Sequence, residues 1–202
     1  MLTSGSLVDV VAGATELSKS SVAQYMRVCR EAGLITSTGA RGVNAAPMTH
    51  LDAARLLLAL LVTDRPARAA EEVAEFGALS HALGGAGARL DQALAELLKE
   101  VGNGVVKQAV VEVRPSAVAA SIFRDGQESV FANAFLASLV ERAGSAAGVL
   151  SLTEAEIQEA SQASAEPYLT AFLRNSSPIK VTRSVDVDVL AEIAGAFRGG
   201  EG

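Results

Sequence analysis

Residues 8 to 35 read VDVVAGATELSKSSVAQYMRVCREAGLI, and this stretch decides how the N-terminal quarter folds. Val8, Val11 and Ala12, with Leu7 ahead of them, recur at helical spacing, so a first short helix is predicted. Thr15, Glu16 and Leu17 then lead to Ser18, a residue whose short hydroxyl side chain can cap the free N–H groups of a second helix. Beyond it Val22, Tyr25, Met26, Cys29 and Ala32 fall at steps of three and four and form an inward stripe. Lys19, Ser20, Gln24, Arg27 and Arg30 lie between them as polar positions, and Gly33 is the expected stop.

Two short helices joined by a tight turn, with small and basic side chains at the start of the second, have the layout of a DNA-reading helix-turn-helix. After Gly33, Leu34 to Thr36 reads as a short strand, residues 37 to 43 as a glycine-containing loop carrying Arg41, and Asn44 to Met48 as a return strand. Such a hairpin would be a wing, placing its arginine near a phosphate or a minor groove.

The string LSKSSVAQYMRVCREAGLITSTGARG, residues 17 to 42, resembles the winged helix-turn-helix of bacterial transcription regulators, with their serine-rich helix start and their "LREAGLI" exit before a hairpin. The resemblance covers the first quarter of the chain. It implies that Lys19, Ser20, Ser21, Gln24, Tyr25 and Arg27 take recognition-helix positions and Arg41 the wing position. Glutamine suits adenine, serine suits phosphates or base edges, and lysine and arginine suit phosphates or guanine. Only residues 1 to 7 precede the pair, whereas members of this group carry a complete helix there. The helix expected from Asp52 is the candidate to replace it.

Charge bears on this reading. The chain of 202 residues has a net charge of -6. Residues 1 to 48 nevertheless hold four basic groups (Lys19, Arg27, Arg30, Arg41) against three acidic ones (Asp9, Glu16, Glu31), a balance of +1. A module this weakly basic gains little from phosphates alone, so a dimer or higher oligomer that doubles the contacts is expected.

The remainder reads as scaffold. Thr49 and Asp52 form a capping box for an almost wholly apolar helix, and Pro66 opens another through Ala70, Val73 and Phe76. Gly84-Gly85-Ala86-Gly87 marks a loop or boundary, without the strand before it or the Gly-Lys-Ser/Thr after it that a phosphate loop needs. Leu90, Leu94, Leu97, Leu98 and Val101 form a helical stripe ending at Gly102-Asn103-Gly104. Strands are then expected in residues 105 to 113, 117 to 123 and 127 to 131, with a turn at Arg124-Asp125-Gly126. Helices are expected near 132 to 143, 152 to 165 and 167 to 173, a strand over Ile179 to Arg183, and a last helix from Asp186 or Asp188. The expected fold is α+β and mostly helical, organised as a winged helix-turn-helix (1–48), a helical connector or dimerisation region (49–83) and a C-terminal domain with a small antiparallel sheet (84–202).

Several classes are set aside. The longest uncharged apolar run, Leu56 to Val62, is far short of the ~20 residues that a spanning helix needs, and no secretory leader is evident, so a cytoplasmic location without membrane association is expected. A single cysteine, Cys29, precludes an intrachain disulfide, and with only His50 and His81 beside it no metal site is expected. Neither a Gly-X-Ser-X-Gly elbow nor a His-Glu-X-X-His pair occurs, and the carboxylate pairs Glu154/Glu156 and Asp186/Asp188 sit where helix starts favour acidic groups. The expectation is a DNA-binding transcription regulator that is not an enzyme, has no cofactor and has double-stranded DNA and a second copy of itself as partners. A DNA-packaging or assembly adaptor of phages or mobile elements, and a module that binds only protein, are the alternatives.

Overall fold

The computed structural model describes residues 2–36, 47–82, 88–115, 118–133, 137, 139 and 182–198. Among these are six helices: α1 (Ser4–Ala14), α2 (Lys19–Glu31), α3 (His50–Val62), α4 (Ala69–Gly77), α5 (Leu90–Gly102) and α6 (Val187–Arg198). A short 3-10 helix, Pro66–Arg68, leads into α4. Strands β1 (Ser80–His81), β2 (Ala109–Arg114), β3 (Ala119–Arg124), β4 (Gln127–Ala132) and β5 (Arg183–Asp186) form one antiparallel sheet in the order β1-β4-β3-β2-β5. The class is α+β. The helices expected at 152 to 165 and 167 to 173, most of that at 132 to 143, and the glycine loop at 84 to 87 lie outside the described residues.

Local chemistry explains where α1 and α2 begin and end. Thr3 caps α1 by accepting a 3.1 Å bond from the Ser6 N–H, and Ser18 caps α2 in the same way from Ser21. At the end of α1 the Leu17 N–H donates to the Ala12 carbonyl and the Glu16 N–H to that of Gly13, a pair of bonds that puts Glu16 in the left-handed region at φ 56°. The end of α2 repeats the motif with Leu34 donating to Cys29 and Gly33 to Arg30, and here the left-handed residue is the expected glycine. Leu7, Val8, Val11 and Ala12 of α1 face Val22, Tyr25, Met26 and Cys29 of α2 in the core, while Ala32, placed in the stripe from its spacing, is the exposed C-cap.

The strand expected at Leu34 to Thr36 is not formed. Those residues are instead tied to α3: Arg55 Nη1 donates to the Leu34 carbonyl at 2.6 Å and the Thr36 N–H to Asp52 Oδ1 at 2.8 Å, with Ile35 buried between them. Backbone groups already satisfied by side chains do not need a strand partner. Residues 37 to 46, including Arg41, lie outside the described residues. Met48 is buried, and its N–H donates to the Leu2 carbonyl.

Helix α3 is the centre of the molecule. Its capping box is present in full, Thr49 Oγ1 accepting from the Asp52 N–H and Asp52 Oδ2 from the Thr49 N–H. Leu56, Leu57 and Leu58 are fully buried, which places apolar side chains on three successive sides. Each is worth about 1.5–3 kcal/mol relative to exposure. Helices α2, α4, α5 and α6 and strands β2 and β5 all pack against α3. Arg55, the polar exception in its middle, sends Nε and Nη2 to Asp91 Oδ2 of α5 at 3.0 and 2.8 Å. Arg89 Nη2 reaches the same oxygen at 3.2 Å, and Asp91 itself is 1 % exposed.

The sheet follows from alternation and one turn. Asp125 and Gly126 both have positive φ, the geometry of a two-residue hairpin loop, and Asp125 Oδ1 also accepts from the Lys107 and Gln108 N–H groups. Ala109, Val111 and Val113 point into the core from β2. β5 adds to the free edge of β2, pairing Val110 with Asp186, and Asp186 Oδ1 then caps α6 through the Asp188 and Val189 N–H groups. α6 returns to pack against α1 and α5, so closely that a Cβ on Gly102 would stand 3.2 Å from Ala194 Cβ. α1 is thus backed by α6, a helix from the opposite end of the described residues. One apolar core, from Leu7 to Ala194, is shared by all three segments of the sequence-based division.

Two stability predictions follow from this packing. Asp91→Ala leaves a part-buried Arg55 without its carboxylate and is expected to cost roughly 3–5 kcal/mol in urea unfolding, more than an Arg55→Met/Asp91→Leu pair that removes both charges. Glu16→Gly is expected to stabilise by about 0.5–1 kcal/mol, because relief of a left-handed residue (~1–2 kcal/mol) exceeds the added unfolded-state freedom of glycine. An unchanged or lowered midpoint for Glu16→Gly would contradict the assigned turn.

Candidate nucleic-acid interface

The outward face of α2 carries Lys19, Ser20, Ala23, Gln24, Arg27 and Glu31, all exposed. Four of the seven residues expected from sequence are thus brought together on one helix surface: Lys19, Ser20, Gln24 and Arg27. Ser20, Gln24, Arg27 and Glu31 succeed one another at three- and four-residue steps, so they form a single ridge about 20 Å long at most, given ~1.5 Å per residue. Lys19 lies to one side of it, where its Nζ pairs with Asp9 of α1 at 3.0 Å. Arg27 Nε stands 3.8 Å from Glu31. Both pairs are mostly exposed, and such pairs contribute at most ~1 kcal/mol, so a phosphate can replace either carboxylate at little cost.

Two serines are engaged in the helix start. The Ser20 and Ser21 hydroxyls lie 3.0 and 2.8 Å from Ser18 Oγ, and Ser21 is half-buried. A hydroxyl both donates and accepts, so each keeps capacity for an incoming phosphate oxygen.

Tyr25 must be removed from the reading face. It is 6 % exposed, and its hydroxyl donates to the Thr63 carbonyl at 3.0 Å, with burial and the nearby Asp64 pushing its pKa up. Its position on α2 faces roughly 240° around from Lys19 by helical geometry, toward the segment after α3. Arg41 lies outside the described residues.

Sequence reasoning missed what Tyr25 holds in place. The Tyr25–Thr63 bond and the packing of Pro66–Arg68 on α2 bring the segment after α3, which carries Arg65 and Arg68, against α2. Arg65 is exposed and its guanidinium has no partner among the described residues, while Arg68 pairs with Glu72 at 3.1 Å. Burial raises the Glu72 carboxyl above its ordinary pKa and Arg68 opposes that rise. The run Asp64-Arg65-Pro66-Ala67-Arg68 shows two arginines around a proline suited to open a helical turn, but nothing local in it records that the turn packs on α2.

Other chemistry is sparse. Cys29 is buried and its thiol is pushed up to about 11, so it holds its proton at neutral pH and is a poor nucleophile. Among the described residues no group of three or more His, Cys, Asp or Glu side chains is placed to hold a metal ion, and no helix is long and apolar enough to cross a membrane. No protein-family model matches the chain, and no curated protein or solved structure matches it.

The assignment of Tyr25 to the interior is checked by Tyr25→Phe. Loss of a buried hydrogen bond is expected to lower unfolding free energy by about 1 kcal/mol. Duplex affinity measured beside it should stay within twofold, and a tenfold loss with the fold intact would return Tyr25 to the binding face.

Proposed function

We propose that this protein binds double-stranded DNA through α2 and acts as a transcription regulator in a dimer or higher oligomer. The observation that carries the reading is the division of α2 into two faces. Val22, Tyr25, Met26 and Cys29 anchor it to the core and both of its ends are capped, while Ser20, Gln24 and Arg27 stand out on the free side. A helix held rigidly along one side and polar along the other can enter a major groove without losing its own support.

In this reading α2 is the recognition helix of a winged helix-turn-helix. Gln24 reads a base edge, Arg27 a guanine or a phosphate, and Lys19 exchanges Asp9 for a phosphate. Arg41, in the segment that follows α2 in sequence, is proposed as a further phosphate contact. Arg65 and Arg68 add a second line of phosphate contacts beside the helix, from a segment outside the first 48 residues. Even so the face is weakly basic, because Asp9, Glu31 and Glu72 each neutralise a cation. Two copies reading adjacent half-sites supply the missing affinity.

Selection from a random duplex pool at controlled salt, with the oligomer mass measured in parallel, tests the reading. A recovered palindrome bound by a dimer supports regulation. Ring-shaped oligomers with little sequence preference would move the protein to DNA packaging or assembly, and no shift of any duplex at about 50 mM salt, where phosphate binding is strong, would leave only protein binding. On the selected site, Arg27→Ala with Arg65→Ala is expected to reduce the slope of log K against log[salt] by about 1.8 for each bound copy, about 3.6 for a dimer, from ~0.9 for each phosphate no longer neutralised. Gln24→Ala should relax base preference at one position in each half-site and leave that slope unchanged.

A further inference from the structure

A cleft of about 240 Å³ opens where three helix ends meet, lined by His50 at the start of α3, Lys99 and Asn103 at the end of α5, and Ala194, Phe197 and Arg198 on α6. Its walls differ in character. One is aromatic: the His50 and Phe197 rings stack with centroids 4.1 Å apart and planes inclined by 22°. The other is cationic. Lys99 and Arg198 each occupy the last turn of a helix, where terminal carbonyls favour a positive charge. Lys99 pairs with Glu96 at 2.9 Å, whereas the Arg198 guanidinium and the Asn103 amide have no partner among the described residues. Burial and Lys99 push the His50 pKa below its ordinary value, with Glu96 opposing them, so the ring is neutral at pH 7.

The formal charges around the opening are therefore Lys99, Arg198 and Glu96, a balance of +1. One negative charge neutralises it. A planar apolar body matches the aromatic wall, and the Asn103 amide and Arg198 are free to donate hydrogen bonds to an oxyanion. We propose that this cleft binds a small organic monocarboxylate, its carboxylate on Arg198, Lys99 and Asn103 and its apolar body against Phe197 and His50. Such an occupant joins α6, which packs on α1, to the first residue of α3. Binding here requires no DNA.

Calorimetric titration of the full chain with sodium benzoate tests this, with benzamide as the neutral isostere and inorganic phosphate as the anion without an apolar body. Saturable binding of one benzoate per chain is expected, with Kd on the order of 1 mM for a ligand of this size. Benzamide and phosphate should each bind at least tenfold more weakly. Arg198→Gln and Lys99→Gln, both at exposed positions, should each weaken benzoate at least fivefold with the circular dichroism spectrum unchanged. Benzoate should also raise the His50 pKa read from its ring proton resonance, since the added negative charge favours imidazolium next to Lys99, Glu96 and Arg198. Equal binding of benzamide would overturn charge recognition, equal binding of phosphate would overturn the organic body, and no saturation by 20 mM or indifference to both substitutions would overturn the site.

Discussion

Asp91 Oδ2 is the point at which the molecule is tied together. Arg55 binds it from α3 through two nitrogens, Arg89 binds it from the start of α5, and the third nitrogen of Arg55 holds the Leu34 carbonyl at the exit of α2. One guanidinium thus connects the helix pair, the central helix and α5. A charge pair inside a protein repays its desolvation only when its geometry is good and its remaining hydrogen-bonding groups are satisfied. Here the balance is incomplete, because Asp91 Oδ1 has no hydrogen-bond partner among the described residues. The cluster consequently contributes direction more than stability. Leucines would bury as well in several orientations, whereas the fork of Arg55 accepts Leu34 and Asp91 in only one.

That orientation has a consequence for α2. Leu34 to Thr36 are held by Arg55 and Asp52, Tyr25 is held at the Thr63 carbonyl, and α1 is backed by α6. The hydrogen bonds that fix α2 among the described residues come from its inner side or its ends. Its outer residues Lys19, Ser20, Gln24 and Arg27 are exposed, and the ion pairs that Lys19 and Arg27 make are weak because water screens them. Rigidity and accessibility are normally in conflict for a surface helix. They are reconciled here by placing the polar ties at the helix exit and the apolar ones beneath it.

Much of the helical layout was legible in the residues. Ser18 and Gly33 bound α2 because a side-chain acceptor at the start and a left-handed residue at the end are local requirements that neighbours three or four positions away satisfy. Thr49 with Asp52, the stripe from Leu90 to Val101 and the Asp125-Gly126 turn were legible for the same reason. The strand expected at Leu34 to Thr36 was not formed, since β-branched and apolar residues suit a strand only when a backbone partner is present, and here Asp52 and Arg55 reach the backbone first. Tyr25 was ambiguous for a related reason. An amphipathic side chain fits the boundary of a helix stripe whether its hydroxyl meets water, DNA or a carbonyl 38 residues away.

The amino-acid sequence by itself determined the short-range events: where helices start and stop, the alternation of the strands, the hairpin turn and the polar ridge of α2. Each depends on groups within a few residues of one another, so the cost of bringing them together is small. Only the tertiary structure decided that α6 backs α1, that Arg55 rather than a strand holds the exit of α2, and that the turn after α3 packs on α2. Those outcomes depend on burial and on partners distant in the chain, and no local pattern records which of many compatible surfaces will meet. The helix pair at residues 8 to 35 is accordingly encoded in its own residues, while its support and its flanking charges come from the rest of the fold.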